Sequence, residues 1–357
     1  MTSSQRYISR RSAVLFMAGL GLAGTLVACG STTSPEASNS EATTAAAGPV
    51  ELTLVSYAVT QAAYEQIIPK FVEQWQAETG QEVTFNQSYG GSGSQTRAVL
   101  DGLEADVVAL ALAGDTQKIE AGGLIEPGWE SEAPNNAIVH KSVAVLVTRE
   151  GNPKNIQDWE DLARDDVQVV TANPKTSGGA KWNFLGAWGS LTQTGSDDAA
   201  ALDFVTQIYQ NVPVLPKDAR ESTDVFFTRG QGDVLINYEN EVLLAAQNGE
   251  ELPYIVPDVN ISIDNPIAVV DANVDKHGTR EVAEAFVEFL FTPEAQAEFA
   301  KVGFRPADPL VGEKYADQFP KITTLFTIAD LGGWEAIDQK FFADGAIFDQ
   351  VQSKVGK

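Results

Sequence analysis

Short apolar runs alternate with segments of helical periodicity along most of the chain, and this alternation constrains the fold more than any other feature. The runs at 50–55 and 106–112 have the length and composition of buried strands. Between them, Ile67, Phe71 and Trp75 recur every four residues, as on the apolar face of a helix. Strands that alternate with helices in this way predict an α/β protein with parallel sheets.

The same patterns predict elements up to the C-terminal end. The predicted strands are 50–55, 82–85, 106–112, 142–148, 167–171, 233–237 and 267–270. The predicted helices are 64–80, 94–103, 180–191, 200–210, 222–228, 239–247, 281–291 and 334–342. Pro69 predicts a kink in the first helix. Thr292 and Pro293, an N-cap followed by proline at the first helical position, open a further helix, and another helical segment is expected near Tyr315.

The N-terminal segment 1–28 has the features of an export signal. It contains Arg6, Arg10 and Arg11 and no acidic residue. The apolar run 13–28 that follows is shorter than the about 20 residues that a membrane span needs. A basic head, a short apolar stretch and small residues at its end predict a signal peptide. Ser9 with the two arginines after it weakly resembles a twin-arginine signal.

The four residues 26–29, Leu-Val-Ala-Cys, resemble a bacterial lipobox. They predict that Cys29 is the acylated first residue of the mature protein and anchors it to a membrane. The alternative is a signal that is cut elsewhere, with Cys29 incidental. The stretch 30–48 has no aromatic residue and no Leu, Ile or Val, so it is expected to be a flexible tether.

Composition excludes several classes of function. The formal charge of −25 repels polyphosphate backbones, so nucleic-acid binding is not expected. With Cys29 as the only cysteine, neither an intrachain disulfide nor a thiolate metal cluster can form. His140 and His277 are the only histidines, which argues against a multi-histidine metal site or a histidine-relay hydrolase. Both are expected to be surface or hydrogen-bonded residues, and no cofactor or metal is predicted.

Two strand-to-helix turns are rich in glycine and serine, namely 90–94 (GGSGS) and 176–179 (TSGG). The first N–H groups of a helix lack intrahelical partners, and the helix dipole places partial positive charge there. Glycine lets a ligand approach the backbone, and serine adds a hydroxyl donor. The two turns therefore indicate an oxyanion site without formal charge. The alternative, that both are merely permissive turns, stays open.

Catalytic and nucleotide-binding motifs do not fit these turns. GGSGSQT lacks the Lys-Ser/Thr ending of a Walker loop, and neither turn contains GxGxxG. A nucleophilic role for Ser177 is weakly supported, because the GxSxG elbow is missing and no histidine is obviously placed as its base. Trp182 and Trp188 lie on one predicted helix and are interpreted as core packing.

Segments spread over nearly the whole body carry a family resemblance. They are VSY (55–57), QSYGGSGSQ (87–95), GLEADVVALALA (102–113), GNPKNIQDWEDL (151–162), NPKTSGGAKWNFLGAWG (173–189), GDVLINYENEVLLA (232–245), FTPEAQAEFA (291–300) and FDQV (348–351). Together they resemble the periplasmic sulfate-binding proteins that supply ATP-binding-cassette importers. NPKTSGGAKWNFLGAWG is the most specific of them.

The resemblance implies a two-lobed periplasmic binding protein fold of type II, with parallel-rich sheets flanked by helices and one dehydrated sulfate in the cleft between the lobes. It also implies that neutral donors hold the ion. Carried over by motif, these donors are Ser92, Ser177, Gly178, Gly179 and Ala219, the last through its backbone N–H.

Two further ligand positions depart from the family pattern. The family often has aspartate after SY, which donates through its main chain, whereas Ala58 follows here. The family has tryptophan before ENE, which donates through its indole N–H, whereas Tyr238 stands here. A backbone donor survives the first change. A phenol can donate and also accept, so the second change bears on selectivity.

The resemblance also implies lobes that the chain crosses more than once. The crossings are predicted near His140 and near Asn260. The predicted division is signal peptide 1–28, tether 29–49, lobe 1 from 50–140 and 261–310, lobe 2 from 141–260, and C-terminal helices from 311–357.

The sequence thus predicts a periplasmic, monomeric sulfate-binding protein, lipid-anchored through Cys29, that delivers its ligand to the membrane permease subunits of an importer and is not an enzyme. Three alternatives remain. The first is a binding protein for thiosulfate or another tetrahedral oxyanion. The second is a secreted hydrolase that uses Ser177, and the third is a structural surface lipoprotein. Donor-only chemistry favours sulfate over phosphate, since phosphate carries a proton and needs an acceptor.

Overall fold

The computed structural model describes residues 48–356, so the predicted signal peptide, Cys29 and nearly all of the tether lie outside the described residues. Its strands are β1 Val50–Tyr57, β2 Val83–Gly90, β3 Val107–Ala109, β4 Ile138–Ser142, β5 Ala144–Thr148, β6 Val169–Val170, β7 Val234–Tyr238, β8 Tyr254–Ile255, β9 Val259–Ile261, β10 Ile263–Pro266, β11 Ala268–Val269, β12 Arg305–Pro306 and β13 Thr324–Phe326.

The α-helices are α1 Gln61–Thr79, α2 Ser92–Leu100, α3 Ala113–Ala121, α4 Gly178–Thr192, α5 Asp198–Gln210, α6 Ala219–Thr223, α7 Glu239–Gln247, α8 Asp271–His277, α9 Arg280–Phe289, α10 Pro293–Lys301, α11 Pro309–Lys314, α12 Trp334–Ile337 and α13 Ile347–Val355. None of the helices described is long and apolar enough to cross a membrane.

Two four-stranded sheets organise the fold. The first has the order β11-β3-β1-β2, in which β1 runs parallel to β2 and β3 and only β11 is antiparallel. The second has the order β6-β7-β5-β8, in which β6 runs parallel to β7 while β5 is antiparallel to both of its neighbours. The sheets are therefore mixed. The antiparallel strands β11 and β5 each come directly after a strand of a third, smaller sheet. The chain therefore reaches them from that sheet and not through a helical crossover.

The third sheet connects the two larger ones along the chain. Its strand β4 directly precedes β5 of the second sheet, and its strand β10 directly precedes β11 of the first sheet. In the third sheet β4 pairs antiparallel with β10 and β12. Only Val143 separates β4 from β5, so the strand predicted at 142–148 corresponds to β5 preceded by the last residue of β4, which belongs to a different sheet. The buried Asn260 side chain donates to the Ala144 carbonyl at 2.8 Å and accepts from the Ala144 N–H at 3.2 Å. The side-chain amide of Asn260, in β9, thus holds β9 against the first residue of β5.

Helix α4 lies at the centre of the molecule. Its residues 178–190 are all buried, including the polar Lys181 and Asn183. It packs Phe184 and Trp188 against Phe341, so the interpretation of Trp188 as a core residue is confirmed. The central position brings the N-terminus of α4, and with it the TSGG turn, into the interior.

Helix α1 contains Pro69, and the kink expected at this residue stays a prediction. Several other predicted elements need correction. Helices α3 and α8 were not predicted, because each is short and carries few apolar residues in sequence. The helix predicted at 222–228 begins earlier, at Ala219, and passes into a π-helical turn at Asp224–Thr228. The prediction for α7 is confirmed in both bounds, and Thr292 caps α10 through its hydroxyl as expected.

Candidate functional site

The turns that follow the strands of both large sheets line a small cavity. All seven residues that were predicted to bind the ligand line this one cavity. The complete lining consists of Tyr57, Ala58, Val59, Gly90, Gly91, Ser92, Ala111, Ser177, Gly178, Gly179, Asp218, Ala219 and Tyr238. No lysine or arginine is among these lining residues.

The cavity lies at the beginnings of helical elements. Ala58 is the first residue of a single 3-10 turn, and Ser92, Gly178 and Ala219 are the first residues of α2, α4 and α6. Tyr238 immediately precedes α7. The first N–H groups of each element have no acceptor within the helix, so the cavity wall is rich in backbone donors. These dipoles provide positive potential where the wall has no cationic side chain.

The two glycine-rich turns touch each other directly. The Ser94 nitrogen lies 3.3 Å from the Thr176 carbonyl oxygen. Its N–H donates both to that oxygen and to the carbonyl oxygen of Gly91. A Cβ atom added to Gly91 would lie 2.4 Å from the same Thr176 oxygen. A Cβ atom added to Gly178 would lie 2.6 Å from Cβ of Ala111. A side chain at either position would overlap a neighbouring residue. Glycine is therefore required there by packing, and not only by the conformation of the turn.

Ser177 is placed to donate its hydroxyl proton. It is the N-cap of α4, and its oxygen accepts from the Ala180 N–H at 3.3 Å. The side chain is buried, with 2% of the residue exposed. Among residues 48–356 no acceptor is found for the hydroxyl proton itself. Because Ser177 lines the cavity, a bound oxyanion would supply that acceptor.

Ser92 differs from Ser177 because its hydroxyl proton is already used. Its Oγ donates to Oδ2 of Asp115 at 2.7 Å and accepts from the Ala111 N–H at 3.1 Å. Asp115 is buried and also lies 3.5 Å from Nζ of Lys181. The donor that Ser92 presents to the cavity is consequently its backbone N–H. Sequence reasoning missed Asp115 and Lys181, since their pairing depends on the packing of α3 against α4.

Tyr238 places a phenol hydroxyl over the N-terminus of α4. A Cβ atom added to Gly179 would lie 3.1 Å from its Oη. The hydroxyl is fully buried and has no hydrogen-bond partner within the described part of the chain, and the same holds for Tyr57, whose ring lies 5.9 Å away. Burial, followed by the negative charges of Asp115 and Glu241, holds the pKa of Tyr238 well above its usual range. The phenol therefore keeps its proton and remains a donor.

One acidic residue that was not predicted lies in the wall. Asp218 lines the cavity and is 5% exposed. The carboxylates of the neighbouring Glu221 and Glu239 are held elsewhere: Glu221 accepts from the Lys217 N–H, and Glu239 pairs with Arg305 at 2.6 Å. Asp218 directly precedes Ala219 in the chain, so its adjacency to a predicted ligand was the available signal.

Neither histidine is paired with Ser177. His277 lies on α8 and hydrogen-bonds Asp106 and Glu104 at 2.8 and 3.0 Å, as expected of a hydrogen-bonded histidine. His140, in contrast, does not lie at the surface. It is fully buried, its ring contacts Phe304, and burial lowers its pKa to about 3. In the described structure no base is hydrogen-bonded to the Ser177 hydroxyl, and no group of three or more His, Cys, Asp or Glu side chains is placed to hold a metal ion.

Comparison with known proteins agrees with this architecture. A model of the family described as bacterial extracellular solute-binding protein matches residues 52–305. The sulfate-binding protein of Synechococcus elongatus is 65% identical over 333 residues, 93% of each chain. The sulfate-binding protein of Escherichia coli is 45% identical over 88% of this chain and 96% of its own. The solved sulfate-binding protein SubI of Mycobacterium tuberculosis is 38% identical, covers 82% of this chain and 100% of its own, and superimposes with a TM-score of 0.76.

The chain therefore belongs to the bacterial extracellular solute-binding proteins, and within them to the family of the sulfate-binding proteins. The likeness to the solved structure confirms the two-lobed type II fold that was expected from sequence. Membership of an extracellular family agrees with the export signal predicted in 1–28.

Proposed function

We propose that the chain binds one sulfate ion in the cavity and delivers it to an ATP-binding-cassette importer, and that it is not an enzyme. The observation that carries the proposal is the wall itself: a buried cavity lined by the starts of helical elements and two hydroxyl donors, without a lysine or arginine. Apart from Asp218, such a wall suits an anion that carries no proton and accepts hydrogen bonds.

The proposed ligands are the N–H groups of Ala58, Ser92, Gly178, Gly179 and Ala219, together with the hydroxyls of Ser177 and Tyr238. Each hydrogen bond to a charged group contributes about 1.5–3 kcal/mol net, so several of them suffice for tight binding. The net charge of −25 does not prevent this, because distant surface charges are screened whereas the dipoles of the wall act at contact distance.

Delivery requires that the ion can enter and leave, and we infer that the lobes predicted from sequence open and close for this purpose. Lobe 1 would comprise 50–140 and 261–310, and lobe 2 would comprise 141–260. This division is supported by the membership of the two large sheets, since β11 joins β1–β3 while β5–β8 form the other sheet. We also propose that the protein acts as a monomer at the membrane permease subunits, anchored in the periplasm through an acylated Cys29.

Thiosulfate and other tetrahedral oxyanions remain the alternatives within the same class of ligand. A hydrolase that uses Ser177 is disfavoured by the absence of a base beside its hydroxyl within 48–356, where both histidines are held elsewhere.

Calorimetric titration of the mature protein with sulfate, thiosulfate, molybdate and phosphate tests the proposal. The expected result is one site per chain with the tightest binding for sulfate. Absence of stoichiometric sulfate binding would refute the proposed function, and turnover of ester substrates would favour the hydrolase instead.

A further inference from the structure

Asp218 is an exception in the wall of the cavity, because it is the only acidic residue among those that line it. Its Oδ1 accepts from the Glu221 N–H at 2.8 Å and so caps α6. No hydrogen bond to its Oδ2 and no ion pair of its carboxylate are found within residues 48–356. The nearby Arg220 attracts the carboxylate electrostatically but makes no hydrogen bond to it, since that guanidinium forms a bidentate pair with Glu241.

The backbone holds this carboxylate firmly in place. The carbonyl oxygen of Asp218 accepts from both the N–H and the hydroxyl of Ser222, at 3.1 and 3.0 Å. The preceding Lys217 carbonyl oxygen accepts from the hydroxyl of Thr176 at 2.6 Å, and a Cβ atom on Gly91 would lie 3.1 Å from it. The loop that carries Asp218 is thus held against both glycine-rich turns. The free carboxylate oxygen of Asp218 therefore belongs to a fixed, buried side chain.

A carboxylate has opposite effects on two ions of the same shape. Sulfate has no proton and can only repel an acceptor. A singly protonated tetrahedral dianion, such as hydrogenphosphate, has the same charge and nearly the same size, but it can donate its one proton to the carboxylate. A hydrogen-bond acceptor in a wall that otherwise consists of donors therefore discriminates between a protonated and an unprotonated ligand.

We propose that Asp218 is a selectivity-determining residue of the cavity: its free carboxylate oxygen weakens the binding of sulfate and accepts the proton of a singly protonated tetrahedral oxyanion. The inference deepens the proposed function and rests on it. It implies that this chain discriminates less sharply between sulfate and hydrogenphosphate than a purely donating site would.

The test is calorimetric titration of the wild type and of Asp218→Asn with sulfate and with inorganic phosphate at mildly alkaline pH, where phosphate carries one proton. In Asp218→Asn the Oδ1 atom continues to cap α6, and the donating Nδ2 takes the place of Oδ2. Sulfate gains a donor and hydrogenphosphate loses an acceptor. Each change is worth about tenfold, so the preference for sulfate is expected to rise about a hundredfold.

Two further variants make the result specific. Glu221→Gln removes a neighbouring charge that does not line the cavity, and it is expected to leave the preference unchanged. Asp218→Ser also retains a capping oxygen and is used if Asp218→Asn fails to fold; it is expected to shift the preference in the same direction. A wild type that binds neither ion would overturn the proposed function together with this inference. A wild type that binds sulfate, with an unchanged preference in both Asp218 variants, would overturn the inference alone.

Discussion

Replacement of Gly91 by alanine is expected to weaken sulfate binding strongly, and the structure gives the reason. Gly91 has φ −63° and ψ 132°, which any residue adopts, so alanine causes no backbone strain there. The added Cβ would nevertheless lie 2.4 Å from the Thr176 carbonyl oxygen, about 1 Å closer than the 3.4 Å at which ordinary contact begins. That oxygen belongs to the second glycine-rich turn, and the two turns must separate to relieve the overlap.

The size of the effect follows from the cost of overpacking. Inserting a methyl group into a closely packed contact costs about 1–3 kcal/mol. If the turns belong to separate lobes, this cost falls on the closed, liganded state and lowers the affinity for sulfate by about five- to 150-fold. The thermal unfolding of the ligand-free protein would then change little.

Gly93→Ala is the matched control. Gly93 lies two residues further along in the same turn, but a Cβ atom there would be 3.4 Å from the Thr176 oxygen, an ordinary contact. It is expected to bind sulfate like the wild type and to be up to about 1 kcal/mol more stable, because alanine is favoured over glycine in a helix. Calorimetric titration and thermal unfolding of both variants provide the measurement. Equal sulfate affinity in Gly91→Ala and Gly93→Ala would refute the argument from close approach.

Four other changes have defined expectations. Ser177→Ala should lower sulfate affinity by about 1–3 kcal/mol through loss of a charge-assisted donor, and unchanged binding by calorimetry would remove this residue from the ligand set. Tyr238→Phe should lose sulfate affinity while Tyr238→Trp largely retains it; competitive titration in which phenylalanine matches tyrosine would mean that the hydroxyl does not touch the ligand. Because burial lowers the pKa of His140 from 6.5 to about 3, the unfolded chain takes up the proton first. The stability that neutral His140 contributes is therefore complete above about pH 6.5, and up to about 5 kcal/mol of it is lost as the pH falls toward 3. Denaturant titrations of His140→Gln should show a smaller decline in the free energy of unfolding over that pH range. Asn260→Ala should cost about 2–4 kcal/mol in the same assay, because it leaves the buried N–H and carbonyl of Ala144 without partners, and a loss below about 0.5 kcal/mol would contradict the role of this amide.

The sequence by itself determined the fold class and seven residues of the wall. Apolar runs and helical periodicity are local signals, and they located α7 to the residue and most of the other long elements to within a few residues. The turns 90–94 and 176–179 were recognisable because glycine and serine at a helix start have a local physical meaning. Resemblance to a family then supplied Ala58, Ala219 and Tyr238, which no local pattern would have selected.

Tertiary structure alone decided how these residues are used. Ser92 and Ser177 read alike in sequence, yet the first gives its proton to Asp115, from a helix that was not predicted, while the second keeps its proton for the cavity. Asp218 entered the wall, and His140 was buried beside aromatic rings. The physical reason is the same in each case: the protonation and donor direction of a polar group depend on its nearest charges and on burial, and those neighbours come from distant parts of the chain.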